Sequence, residues 1–468
     1  MNNTFSVYFL PGISESTIKY KEVGYGDTGE IKLRFPEMNP DILKKGIENI
    51  KTAREYLTRK TVKELVEVID QVNSKWTNRN YDLRKEALNA LPAITNFSPQ
   101  MVKGCVDGIL EFLGKENLFK MLEAELENPE YIDDFRPKKG FNGLVKAYGP
   151  RLITNIFSGN APALPAISLV RGLLVKSSQL GKVASEEPLF ANLFAQSIED
   201  VDKNIANTMA LTYWKGGDES IETVAFNEAD VVVAYGGPGA IESIRKRIPS
   251  GKKFISYGHK LSFGVIGREY LNEESSAREV AAKAALDTSL HDQQGCLSPH
   301  LWYVEMGGYV TPERFAELLG EEMGKINKKL PRGKISKEAK IEIQKIRGVY
   351  DWMDDAKTFY PKKSTAWTVI YTKKKEFELS CLNRVVRVKP IDDIQEVKEL
   401  VAPISQYLQT IGAALYEERL LRFFDEMGKL GATRITPVGR MGYPANALPH
   451  DGSYGLRDLI MRWVAIEK

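Results

Sequence analysis

The stretch Asp230-Val-Val-Val-Ala-Tyr-Gly-Gly-Pro-Gly-Ala240 runs from a wholly apolar strand into a glycine-rich turn, and Ile241–Arg247 behind it has helical spacing. A strand apolar on both faces belongs inside a parallel sheet covered by helices. The flanking sequence repeats the alternation. Leu152–Phe157 predicts a strand ending in the loop Ser158–Pro162, Ala166–Gly172 a helix, and Leu173–Val175 a strand ending at Lys176-Ser-Ser-Gln179. Ala184–Asn204 predicts a helix, and Met209–Trp214 and Lys253–Tyr257 two further strands. This order predicts an α/β fold whose ligands sit at the carboxyl ends of the strands. The Gly236–Gly239 turn suits a dinucleotide, because glycine permits close approach and a helix N-terminus favours phosphate. It is not a full fingerprint: counted from Gly237, the third glycine position falls on Glu242. Taken alone, such a turn is more often only a tight turn.

Working outward, the first 35 residues predict short strands around Gly24, Gly26 and Gly29. Helices dominate from about 40 to 140. Thr61-Val-Lys-Glu64 is a capping box ahead of Leu65, Val68, Ile69 and Val72 on one face. Ser98-Pro99 supplies a cap and a first-turn proline for Met101–Leu113. Cys105 lies on that amphipathic helix and reads as core. Beyond residue 300, Thr311-Pro-Glu313 starts a long charged helical region reaching Asp355. Strands are expected at Ala366–Tyr371 and Asn383–Val388, a helix at Glu396–Gln406, a glycine-rich loop at Val438–Gly442, a turn at Pro449–Gly452 and a last strand at Met461–Ile466.

Composition narrows the class. With 468 residues, 43% of them hydrophobic, there is material for two or three domains. Sixty-five basic against 62 acidic residues leave a formal charge of +3, and the basic tracts are short, which argues against nucleic acid. Three cysteines far apart fit no metal-ligand spacing and suit a reducing compartment. No apolar run spans a bilayer and the start lacks a signal-peptide pattern, so the expectation is a cytoplasmic protein.

The chemistry concentrates at His291-Asp-Gln-Gln-Gly-Cys-Leu-Ser-Pro-His300. Ser276-Ala-Arg-Glu279 reads as the capping box of a helix ending near Leu290, and Leu301–Val304 as a strand. Cys296 therefore falls in a short polar turn between Gly295 and Ser298. A thiol there, near backbone amides and His291, is a candidate nucleophile. From this segment alone an inert cysteine remains an equal reading.

Several loops together are more specific. Gly159-Asn160-Ala-Pro162, Lys176-Ser-Ser, the Gly236–Gly239 turn and Gln294-Gly-Cys296 stand in the order and spacing of the aldehyde dehydrogenases. Asp292–Pro299 and the ending with Asp451-Gly452 most closely resemble the LuxC-type acyl-CoA reductases, over roughly residues 40–468. The resemblance implies two intertwined Rossmann-like α/β domains plus a small oligomerisation element. It assigns N-terminal strands to 1–40, cofactor binding to 40–257 and 432–468, and thiol chemistry to 258–431.

It also implies roles. Cys296 is the acylated nucleophile, and the Asn160 amide with the Cys296 N–H forms the oxyanion hole. Lys176, with Ser178 and Gln179, takes the adenosine ribose, and Gly236 and Gly237 lie beside the pyrophosphate. His291, His259 and His300 are candidate acid–base groups, each singly more often structural; His450 beside Asp451 reads as a structural turn pair. No metal is expected. Hydrolytic members carry a glutamate in the strand corresponding to Ser256-Tyr-Gly-His-Lys260, where this chain has no carboxylate, so transfer to or from a thiol replaces water attack. Many NAD-dependent members carry a glutamate three residues after the lysine; Gln179 there favours NADPH. The glutamate that binds the nicotinamide ribose has no clean match in Leu379–Asn383.

The expected activity is NADPH-dependent reduction of long-chain fatty acyl-CoA to aldehyde through an acyl-cysteine. The competing readings are a cysteine-dependent acyltransferase or thioesterase, a CoA-acylating aldehyde dehydrogenase working oxidatively, and a non-catalytic acyl-binding subunit. The expected partners are a second copy of the chain, as dimer or tetramer, and acyl-protein synthetase and acyl-transferase subunits.

Overall fold

The computed structural model describes residues 3–445 and 447–467. Met1, Asn2, Asn446 and Lys468, which fall within the expected domain ranges, lie outside the described residues. The chain divides into two compact units, one formed by Met1–Thr95, Val102–Gly258 and Ala445–Lys468, the other by Asn96–Met101 and His259–Pro444. The strands in chain order are β1 (Thr4–Ser6), β2 (Tyr20–Tyr25), β3 (Ile31–Pro36), β4 (Arg136–Pro137), β5 (Gly143–Tyr148), β6 (Leu152–Ile156), β7 (Ser178–Lys182), β8 (Met209–Thr212) and β9 (Val231–Tyr235). They continue with β10 (Lys253–Tyr257), β11 (Leu261–Ile266), β12 (Pro299–Glu305), β13 (Ala356–Phe359), β14 (Thr368–Thr372), β15 (Val385–Ile391), β16 (Leu408–Ala414), β17 (Arg434–Pro437) and β18 (Arg462–Glu467).

The first unit is built on a parallel sheet of order β10-β9-β6-β7-β8. Val231, Val232, Val233 and Ala234 of β9 are buried, as their unbroken apolar sequence requires. Each such valine contributes about 1.5–3 kcal/mol relative to leaving it in water. One face packs on the helix Pro40–Arg59 through Leu43, Ile47 and Ile50. Asn39 starts that helix by accepting the Ile42 N–H at 2.9 Å, and the Thr61–Glu64 capping box forms at the next one, Val62–Thr77. In Asn96–Met101, which belongs to the second unit, Ser98 accepts the Met101 N–H at 3.2 Å, as its place before Pro99 predicts. Two small sheets complete the first unit, β1-β3-β2 and β18-β5-β4.

The second unit holds a seven-stranded sheet, β13-β14-β15-β12-β11-β16-β17, parallel except for β13. Trp302 of β12 lies over Gly264 of β11, where a Cβ would fall 2.0 Å from the indole, so only glycine fits. Its N–H donates to Thr288 Oγ1 at 3.1 Å. The carboxyl ends of β11 and β12 meet at Glu305, which is fully buried and accepts from Arg268 Nη2 (2.8 Å), Arg419 Nη1 (2.8 Å) and Arg419 Nη2 (2.6 Å). The Arg268 and Ile394 N–H groups also point at it. Burial raises the Glu305 pKa, but the two guanidiniums outweigh it and hold the group at about 2.

Four expectations need correction. Leu173 and Leu174 end the helix Pro165–Leu174 rather than starting a strand, because Pro165 opens a ten-residue helix. Ser276 caps nothing: its helix starts earlier, as Glu274–Ser289, without a side-chain cap. The expected helix Glu396–Gln406 is α-helical only over Val397–Val401, and Pro403 turns the rest into 3-10 geometry. Finally β17 belongs to the second sheet, so the chain returns to the first unit at Ala445 and not at residue 432.

Among the described residues no helix is long and apolar enough to cross a membrane, and no cluster of three His, Cys, Asp or Glu is placed to hold a metal.

Candidate active site

In the second unit, the helix Glu274–Ser289 runs into a left-handed turn at His291–Gln293, and β12 starts at Pro299. Cys296 stands between them, half-buried and not disulfide-bonded. Its carbonyl accepts the Ser262 hydroxyl at 2.7 Å. The Gln294 N–H donates to His291 O at 2.9 Å and the Ser298 N–H to Gly295 O at 3.0 Å, closing the backbone into consecutive turns around the thiol. Gln293, buried, donates to Pro299 O at 2.8 Å and so ties the start of the turn to its end.

The three candidate histidines separate. His291 packs on the turn itself: a Cβ at Gly295 would lie 3.7 Å from its Nδ1. Burial pulls its pKa below the ordinary value, which keeps the ring neutral and able to accept a proton. His300 is buried, and its Nδ1 accepts the Ser380 N–H at 3.0 Å. That fixes the proton on Nε2, while burial, aided by His259 and Arg387, drives the pKa to about 4. With Nδ1 engaged and Nε2 protonated, His300 is a donor and not a base. His259 is exposed, with its ring 6.3 Å from that of Tyr407. Cys381 is half-buried and its pKa is raised by burial, and Cys105 is buried, so neither has the setting of a nucleophile.

In the first unit, the carboxyl ends of β6 and β9 carry Asn160 and the Gly236–Gly237 turn. Asn160 is exposed on the loop after β6. Gly159 before it is packed so tightly that a Cβ would meet Glu187 N at 2.9 Å, which brings this loop against the segment following β7. Gly236 follows β9, its N–H donating to Tyr257 O at 3.2 Å, and Gly237 is the N-cap of the helix Pro238–Arg247. Gly237 has no side chain to cap that helix, and nothing lies within 4 Å of where its Cβ would be. A helix start of this kind fits the phosphates of a dinucleotide. His450, by contrast, makes an isolated bridge with Ser453, and its ring stands 5.5 Å from that of Tyr257.

The lysine reading moves. Lys176 precedes β7, has φ 57° and pairs with Asp133 at 2.7 Å, with both side chains largely buried. Ser178 donates to Ile50 O at 2.7 Å, and Gln179 is buried between Leu169 O (2.7 Å) and the Asn155 amide (3.2 Å). These three serve the interior, since a helix occupies the place where a strand was expected. The lysine at the carboxyl end of β7, level with Ile156 of β6, is Lys182. Burial lowers its pKa, and its ammonium sits 5.7 Å from the Tyr213 ring and 5.9 Å from that of Trp214. Three residues on stands Ser185, followed by the exposed Glu186. Sequence reasoning missed Lys182, although Pro165 as a helix start displaces the next strand to Ser178–Lys182. No local sequence pattern points to Ser262 or Arg384, and Asp292 enters the sequence reading only as part of the Asp292–Pro299 motif.

The family model described as Acyl-CoA reductase (LuxC) matches residues 57–462. A long-chain acyl-protein thioester reductase 2 of Photobacterium leiognathi is 24% identical over 93% of this chain and 89% of its own length. A long-chain acyl-protein thioester reductase of Photorhabdus laumondii is 26% identical over 85% and 80%. Among solved structures, aldehyde dehydrogenase 21 from Physcomitrella patens superposes with a TM-score of 0.78 at 14% identity, covering 100% of this chain and 99% of its own. Lactaldehyde dehydrogenase from Escherichia coli gives 0.70 at 15%, covering 96% of each. The chain has the aldehyde dehydrogenase fold and, by a match spanning most of its length, belongs to the LuxC family of acyl-CoA reductases.

Proposed function

We propose that this protein reduces long-chain fatty acyl thioesters to aldehydes with NADPH through an acyl-cysteine on Cys296. The carrying observation is a half-buried thiol on a turn locked by buried partners, Ser262 and Gln293. Cys296 Sγ attacks the thioester carbonyl, the carbon–sulfur bond of the donor breaks, and the donor thiol leaves with a proton. His291 is the group we assign to hold the Cys296 proton, and Asn160 keeps the oxyanion role that the resemblance gives it. A bound nicotinamide supplies the hydride that takes the acyl group to the aldehyde level; the Cys296–carbon bond then breaks and the thiolate returns.

The stretch Ser256-Tyr-Gly-His-Lys260, at the end of β10, has no carboxylate where the resemblance places the glutamate of hydrolysing aldehyde dehydrogenases, which supports reduction over hydrolysis. Lys182, Gly236 and Gly237 are the residues that would hold the cofactor. Ser185, rather than a carboxylate, three residues after Lys182 supports NADPH over NADH. The donor is fatty acyl-CoA or, as the relatives' names suggest, an acyl-protein thioester; acyl-transferase and acyl-protein synthetase subunits are the partners that the resemblance implies. A homo-oligomer belongs to the same proposal: β18 is an edge strand with Trp463 and Ile466 exposed, a surface suited to a second copy.

Single-turnover mixing with palmitoyl-CoA tests the reading. CoA release without cofactor and aldehyde only after NADPH is added are expected; free fatty acid without NADPH overturns it in favour of a thioesterase.

A further inference from the structure

Three successive residues with positive φ lead into the Cys296 turn: His291 (52°), Asp292 (50°) and Gln293 (67°). None is glycine, and an L-residue there crowds its Cβ against the following carbonyl. Such strain persists only where the surroundings over-determine it. A second triplet of the same kind, Leu382 (63°), Asn383 (57°) and Arg384 (66°), leads into β15.

Side chains clasp the two triplets together. Arg384 Nε donates to Asp292 Oδ1 at 2.8 Å, and Nη2 lies 2.7 Å from the same oxygen. Asp292 Oδ2 accepts the Gly333 N–H at 2.9 Å. Arg384 Nη1 donates to Leu330 O at 2.9 Å and Asn327 Oδ1 at 3.3 Å, anchoring the clasp to the end of the helix Pro312–Lys329. Ser380 Oγ adds a hydrogen bond to Gln293 Oε1 at 3.2 Å. The Asp292 side chain is 2% exposed and that of Arg384 0%. A buried pair gains little stability, because desolvation offsets the attraction. What it does supply here is geometry, since it joins two backbone segments held in a conformation that L-residues disfavour.

We propose that Asp292 and Arg384 are positioning residues for the nucleophile: the pair keeps His291–Gln293 left-handed and so sets where the turn presents Cys296. The proposal rests on Cys296 being the acylated residue, and it assigns the pair no contact with substrate.

The test compares wild type with Asp292→Asn, Arg384→Gln and Arg384→Lys. Acylation by palmitoyl-CoA is followed by stopped flow, and iodoacetamide alkylation of Cys296 and Cys381 by peptide mass spectrometry across pH. Misplacing a reacting atom by an ångström costs up to about a hundredfold, so Asp292→Asn should slow acylation by about tenfold or more at unchanged half-saturation. The pH profile of Cys296 alkylation should move, and Arg384→Lys should recover part of what Arg384→Gln loses. In Asp292→Asn, which leaves the second triplet's own side chains in place, Cys381 should keep its alkylation rate. Wild-type acylation and an unmoved Cys296 profile in Asp292→Asn overturn the proposal, as do losses matched by faster Cys381 alkylation, which would mean general loosening. Should Asp292→Asn fail to fold, Arg384→Lys carries the same readouts. If wild type is not acylated at Cys296, the functional reading fails, and the Cys296 alkylation profile still decides the positioning role.

Discussion

Ser262 Oγ donates to the Cys296 carbonyl at 2.7 Å and at the same time accepts the Thr410 N–H at 3.1 Å. One buried hydroxyl thus links the backbone of Cys296, the proposed nucleophile, to two neighbouring strands, β11 and β16. Ser262→Ala leaves a buried carbonyl and a buried N–H without this partner, at a cost of about 1–3 kcal/mol. The expected result is a lower urea midpoint together with slower acylation of Cys296, read by denaturation and by CoA release.

The two lysines give opposite expectations. Lys182→Ala should raise the KM for NADPH by about tenfold, the loss of roughly one charge-assisted hydrogen bond, with CoA release in the absence of cofactor unchanged. Lys176→Ala should leave the KM for NADPH alone and lower stability by about 1–3 kcal/mol, because it leaves the largely buried Asp133 carboxylate with the Val62 N–H but without its cation. Cofactor kinetics and urea melts on both variants check the pair; a KM effect at Lys176 would restore the original reading.

Ser256→Glu places a carboxylate at the end of β10. Palmitoyl-CoA should then yield free fatty acid without NADPH, measured by chromatography of the products. Unchanged product distribution would mean that water is excluded by something other than the missing base.

His300 makes stability depend on pH. Its folded pKa of about 4 lies below the unfolded value of about 6.5, so the unfolded chain takes up the proton first. Stability from this group is complete above about pH 6.5 and falls as the pH drops toward 4, by up to about 3 kcal/mol. His300→Gln keeps an acceptor for the Ser380 N–H and does not titrate. Its urea midpoint should therefore fall less than that of wild type between pH 7.5 and pH 5.

The fold was legible where a single strand carried the pattern. The apolar run of β9 and the turn at Gly236 needed no tertiary information, and neither did the caps at Thr61, Ser98 and Thr311, since each is a contact within four residues. The strand after Pro165 was not legible from apolar content: Leu173–Val175 is as apolar as a strand, and only the ten-residue length of the helix separates the two. That one shift of register is why Lys182 and not Lys176 is proposed as the cofactor lysine. At the thiol, Cys296 was visible from its polar neighbours. Its supports were not, because Ser262 lies 34 residues away and Arg384 lies 92 residues from Asp292. Nothing in a local window records a bond of that span.

Glu305 has a meaning for stoichiometry. In α/β units anions bind beyond the carboxyl ends of the strands, at the N-termini of the helices that follow, and the described residues form two largely parallel sheets. In the second, the chain's own carboxylate already stands at that end, gripped by Arg268 and Arg419, so any incoming phosphate would have to evict it. The molecule carries a resident anion at one sheet and a glycine turn at the other, and a dinucleotide titration should saturate at one equivalent per chain rather than two.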